Sequence, residues 1–260
     1  MMKERLEALY EELNRPCYVH PDPLECVYGY NSAADREIAA LVAASLAYGQ
    51  VRQILKSVTD VLGRMGPSPH AYLIHASPAR IQRDMSGFVH RFARDGHISA
   101  LLLSVRRILF EHGSLYQCFL AHQKVSDQSV YPALCGFAAE LREANGCGSP
   151  GHLMACPEKG SACKRLNLFL RWMVRCDRVD PGGWEAVSPA ALIIPLDTHM
   201  FRICTKLGLT CRRQADMKTA LEITEGFRQW APIDPVRYDF ALTRLGINRE
   251  LSGPFSEYLN

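Results

Sequence analysis

The sequence predicts an all-α fold. Apolar residues recur at helical spacing through most of the chain, and no run alternates apolar and polar residues with period two. No Asn-Gly or Asp-Gly turn sits between β-branched stretches, so no hairpin is expected.

The first helix expected follows Asp35-Arg36-Glu37, where Ile38, Leu41, Val42 and Leu46 fall on one face and the acids of the first turn suit the helix dipole. A second runs from Gln53 to about Leu62 and stops at Gly66-Pro67. Helical patterns then recur at 98–110, 115–122, 130–144, 164–175, 199–207, 218–230 and 237–245. The breaks are short and rich in Gly, Pro or Ser: Gly66-Pro67-Ser68-Pro69, Gly146–Gly151 and Asp180-Pro181-Gly182-Gly183.

The chain has 260 residues, 48% hydrophobic and 22% charged, with a net charge of +3. That profile excludes disorder, collagen-like sequence and coiled coil, and allows one large core or two lobes. The longest apolar stretch, Ile38 to Tyr48, is interrupted by Ser45 and is far shorter than the ~20 residues of a membrane helix. Met-Met-Lys-Glu-Arg-Leu-Glu lacks the apolar run of a signal peptide, so a cytoplasmic chain without a membrane partner is expected.

Ten cysteines (Cys17, Cys26, Cys118, Cys135, Cys147, Cys156, Cys163, Cys176, Cys204 and Cys211) include no Cys-x-x-Cys pair. They read mostly as small buried hydrophobes kept reduced, and the expectation is no metal and no cofactor. An all-α metalloenzyme drawing on these cysteines and the nine histidines is the competing reading.

Charge is unevenly placed. Residues 159–213 hold ten basic side chains against Asp177, Asp180, Glu185 and Asp197. Such a segment fits a polyanion footprint or a solvated helix face, and charge alone does not separate the two.

Two segments carry chemistry. In Pro157-Glu158-Lys159-Gly160-Ser161-Ala162-Cys163-Lys164-Arg165, a glycine-bearing turn leads into a helix with Lys164 at its start. Backbone N–H groups there can hold a phosphate. A lysine beside Arg165 and the dipole's positive end loses its proton more easily, as a nucleophilic amine must. A surface or phosphate-contacting lysine is the alternative. In Leu192-Ile193-Ile194-Pro195-Leu196-Asp197-Thr198-His199-Met200-Phe201-Arg202, Asp197 stands where a helix N-cap belongs. It serves as a cap alone, or as a carboxylate stabilising positive charge at an anomeric carbon. His199 reads as a hydrogen-bonded structural residue, and Trp172, Trp184 and Trp230 as core anchors, Trp184 lying in a Gly-rich loop.

Asp197-Thr198-His199-x-Phe201-Arg202-x-Cys204 resembles the catalytic-aspartate segment of the helix-hairpin-helix DNA glycosylases, closest to the endonuclease III type. Ala44–Gln50 is similar to that superfamily's Leu-Ser-x-Gln segment, and Asp234–Leu242 with Leu245-Gly246 to its closing helix. The similarity spans roughly residues 35 to 247, with the aspartate segment its specific part, and the pattern also resembles an uncharacterised bacterial branch of the superfamily. Two departures stand out. Of the usual Leu-Pro-Gly-x-Gly-x-Lys hairpin only Gly160 and Lys164 remain. The long separation of Lys164 from Asp197, and the lack of cluster cysteines, resemble the archaeal 8-oxoguanine glycosylases, although Thr243 replaces their tryptophan.

The resemblance implies two helical lobes with a DNA-facing cleft, one of residues 32–190 ending with the hairpin element and one of 1–31 plus 191–260. It implies a nucleoid-associated base-excision glycosylase on damaged double-stranded DNA, with possible AP lyase activity on an oxidised base such as 8-oxoguanine; no extended exposed heptad or symmetric motif suggests an oligomer, so a monomer is expected. Lys164 would be the Schiff-base nucleophile and Asp197 its catalytic partner. Gln50, Gly160, Ser161, Arg165 and Arg202 would contact DNA, and Asp239 and Trp184 would line the base pocket. A DNA-binding protein that keeps the fold without the chemistry is the alternative.

Overall fold

The computed structural model describes residues 2–143 and 148–247 and is mostly helical, with twelve α-helices among them. Cys147, Ala144 at the end of one expected helix, and the start of the Gly146–Gly151 break lie outside the described residues. No helix among the described residues is long and apolar enough to cross a membrane.

The helices are α1 (Met2–Leu13), α2 (Ala33–Ser45), α3 (Val51–Met65), α4 (Pro69–His75), α5 (Pro78–Asp84), α6 (Asp95–His112), α7 (Leu115–Ala121), α8 (Tyr131–Arg142), α9 (Lys164–Val174), α10 (Thr198–Lys206), α11 (Met217–Arg228) and α12 (Asp239–Ile247). Against the expectation of no strand, β1 (Val89–His90) and β2 (Ala93–Arg94) pair antiparallel, with Val89 opposite Arg94. Helices α1, α4 and α5 were likewise not anticipated.

The chain divides into two compact units. One comprises residues 21–127 and 131–156 and is built around α2 and α6. From Glu37 to Ser45 every residue of α2 is buried, the alanines allowing neighbouring helices to approach closely. Glu37 is buried because its carboxylate accepts from Leu115 N (2.9 Å) and Tyr116 N (3.1 Å), two N–H groups at the start of α7 that lack helical partners. Ser68 and Ser77 cap α4 and α5, each with proline in the first helical position. Gly113, at φ +85°, ends α6 in the left-handed conformation.

The second unit comprises residues 1–20, 128–130 and 157–260. Its core holds Phe169, Trp172, Trp184, Phe227, Tyr238 and Phe240 with the apolar run Leu192–Leu196. Residues 157–190, expected with the preceding helices, belong here. The reason is bonding: Met217 N donates to Gly160 O (3.0 Å), Ser161 bridges Asp216, and Arg171 and Arg175 pair with Asp239 and Asp234.

Candidate functional site

Lys164 is the first residue of α9 and is half-buried. A 3₁₀ turn at Pro157–Lys159 precedes it, and then Gly160 at φ +81°. A Cβ at Gly160 would meet nothing within 4 Å, so glycine is favoured there by backbone conformation and not by space. Cys163 sits at φ +47° in the N-cap position with its side chain buried, a left-handed conformation in a residue other than glycine. Ser161 Oγ accepts from Cys163 N (3.2 Å) and Asn167 Nδ2 donates to Ala162 O (3.0 Å), which fixes the loop against α9. Gly160 and Ser161 are exposed and Arg165 is half-buried.

Asp197 is the N-cap of α10, its Oδ1 accepting from Met200 N at 2.8 Å, and it too is half-buried. Thr198, His199, Arg202 and Lys206 on this helix are exposed. The helix is held from below by Met200, Ile203 and Cys204, all buried. Lys164 and Asp197 therefore belong to one unit, each at the start of a helix, where N–H groups and the dipole favour an anion. Gln50, in the other unit, is exposed at the N-cap position of α3 and makes no side-chain capping bond.

Two expected pocket residues lie inside. Trp184 is 1% exposed and meets Phe169 edge-to-face, with ring centroids 5.1 Å apart, so it is a core residue. Asp239 is 3% exposed and ion-paired with Arg171, which occupies the carboxylate a base would need. This pair belongs to a buried network that charge counting missed. Arg171 also pairs with Asp180 (3.1 Å), and Arg175 with Asp177 (2.8 Å), Asp234 (3.0 Å) and Asp180. Two of the ten basic residues counted in segment 159–213 are thus internal. Their acids Asp177 and Asp180 come from the same segment, so its exposed part stays basic.

Four carboxylates share two guanidiniums in this network. Burial, only partly offset by Arg171, pushes the Asp239 carboxyl up to about 6 from an ordinary 3.8, and burial raises Asp180 also. Between pH 6 and 4 the folded chain therefore holds a proton that the unfolded chain has released. Stability from this group rises as pH falls through 6 and levels off below 4, where both states are protonated. Urea unfolding should show about 2 kcal/mol of this dependence between pH 7 and 4.5 lost in Asp239→Asn. An unchanged pH profile in that variant would refute the assignment.

Nine of the cysteines are described. Three are buried (Cys118, Cys163 and Cys204), three half-buried, and Cys17, Cys176 and Cys211 exposed, fewer inside than expected. Burial pushes the thiols of Cys26 and Cys118 up to about 11 and about 12, which makes them inert near neutrality. Among the described residues, Glu111, His112 and Glu140 bring three possible ligand atoms within 4.8 Å of one another, with no cysteine among them. Arg107 already pairs with both glutamates, so their charge is met.

No curated protein and no solved structure matches the chain. A family model described as "Protein of unknown function (DUF2400)" matches residues 22–248, and the chain belongs to that family.

Proposed function

We propose that the protein is a base-excision DNA glycosylase that flips a damaged nucleotide out of duplex DNA and removes its base, an oxidised base such as 8-oxoguanine being the favoured substrate. The observation that carries the proposal is the placement of Lys164 and Asp197 in one unit. Each is a half-buried charged residue at the start of a helix of one unit, in segments whose sequence resembles that chemistry. The neutral Lys164 amine attacks the anomeric carbon as the glycosidic bond breaks, and the base leaves with the bonding electrons and takes up a proton. The Asp197 carboxylate stabilises positive charge developing on the sugar. Loss of a proton from the attacking nitrogen and opening of the sugar ring give a Schiff base, from which loss of a C2′ proton eliminates the 3′ phosphate.

Arg202 and Lys206, exposed on α10, and Lys159 and Ser161, exposed before α9, are the phosphate-facing groups of this reading, with Arg165 beside them. Gln50 contacts the opened duplex. One observation favours a binding protein without chemistry: the hairpin keeps only Gly160 and Lys164 of its usual residues. Base release from duplexes carrying 8-oxoguanine, uracil or thymine glycol decides between them. Release of one base supports the glycosylase, and tight duplex binding with no release from any of them supports the binding protein.

A further inference from the structure

The hairpin β1–β2 has a two-residue turn, Arg91-Phe92, and its base is fixed. His90 is fully buried, with Nδ1 2.9 Å from Ser57 Oγ and Nε2 3.1 Å from Tyr48 O, and its ring meets the edge of Tyr48 at 4.6 Å. Tyr48 Oη in turn donates to His90 O at 3.0 Å. The tip is the opposite: Phe92 is 71% exposed on this rigid support. Arg91 holds φ +52°, a conformation that glycine takes without strain and that costs any other residue of order 1–3 kcal/mol. Its guanidinium lies 5.5 Å from the Phe92 ring centre, and its side chain runs over Gly49, the residue before Gln50, where a Cβ would come within 2.7 Å of Arg91 Cδ. Arg94 is exposed at the end of β2, and the neighbouring Asp95 accepts from Gly87 N (3.1 Å) and Gly96 N (2.8 Å).

A strained arginine and an exposed phenylalanine on a braced turn give a rigid aromatic group with the Arg91 guanidinium over its ring and a second cation on the same turn, Arg94, whose Nη1 donates to Arg91 O (3.0 Å). Two-residue strands are too short an edge for strand addition by a protein partner. An exposed aromatic side chain with two cations on its turn suits a base and its adjoining phosphates, since base–aromatic stacking and phosphate pairing are two main terms of nucleic-acid contact.

We infer that this hairpin is a DNA contact in which Phe92 stacks on the base left exposed at a disrupted pair, while Arg91 and Arg94 hold the adjoining phosphates. The inference rests on the DNA reading above but uses none of its residues, and it requires no chemistry. It can be tested with the full chain by fluorescence anisotropy on two labelled duplexes, one with a single tetrahydrofuran abasic analogue and one fully paired. Phe92→Ala should weaken binding to the abasic duplex about tenfold, the contribution of one stacked base, with less than about twofold change on the paired duplex. Phe92→Trp should retain the preference. Arg91→Ala should weaken both duplexes alike and lower the slope of log affinity against log salt by about one. Phe92 is exposed, so an unchanged melting temperature is expected in its variants.

Equal affinity of native protein and Phe92→Ala for the abasic duplex, or equal losses on both duplexes, would overturn the inference, as would the absence of any DNA binding by the native chain. Phe92-dependent binding in a protein that releases no base would leave the hairpin contact standing and remove the glycosylase.

Discussion

Arg171→Ala is expected to destabilise the protein by about 3–5 kcal/mol, because it leaves Asp239 buried and without its cation. Asp239 is 3% exposed and Asp180 fully buried, so water cannot take the place of the guanidinium. Arg175 still serves Asp180, but Asp239 has lost the guanidinium it pairs with. At roughly 2–4 °C per kcal/mol for a chain of this size, the melting temperature should fall by about 10 °C. Changing Arg171→Met together with Asp239→Asn should recover most of the loss, since removing both charges avoids the uncompensated one. A loss below about 1 kcal/mol for Arg171→Ala would mean that the network behaves like a solvent-screened surface pair. The network matters for the candidate site because it anchors α9, which begins with Lys164, to α12.

Asp197→Asn should lower the rate of base release by about 10²–10³-fold while leaving fold and duplex binding nearly unchanged. The two properties separate because asparagine caps a helix about as well as aspartate, so the bond from Met200 N survives. On the glycosylase reading, what disappears is the negative charge that stabilises the developing oxocarbenium ion. Base release measured in single turnover, beside duplex affinity and a melting curve, separates catalysis from folding. A rate within about threefold of native would reduce Asp197 to its capping bond.

Much of the fold was legible because long amphipathic helices announce themselves. Helices α2, α3 and α6 to α12 all fall on expected patterns, although α12 begins at Asp239, two residues later than the spacing suggested. The missed α1 carries the same signal, with Leu6, Leu9, Tyr10 and Leu13 buried at helical spacing among dense charges. Ser68-Pro69 and Ser77-Pro78 are helix-start signals whose helices, seven residues each, are too short to show a period. The hairpin was illegible: two-residue strands carry no alternation, and Arg91-Phe92 is no known turn signature.

The candidate site divides along the same line. Lys164 and Asp197 were readable because a helix start is a local property of sequence. Asp239 was assigned to the base pocket through the resemblance, because its partner Arg171 lies 68 positions away and no local pattern names that pair. Arg171 and Arg175, counted toward a surface charge, turned out to be internal for the same reason. The boundary between the units was misplaced because the bonds from Gly160 to Met217 and from Ser161 to Asp216 join distant segments.

Borohydride trapping tests the central claim most directly. The native chain is incubated with duplexes carrying 8-oxoguanine, uracil, thymine glycol or an abasic site, with Lys164→Gln in parallel. The account predicts a covalent protein–DNA adduct with the native chain, none with Lys164→Gln, and unchanged duplex binding by the variant. Duplex binding without any adduct, or an adduct that survives Lys164→Gln, would contradict the assignment of Lys164 as the Schiff-base nucleophile.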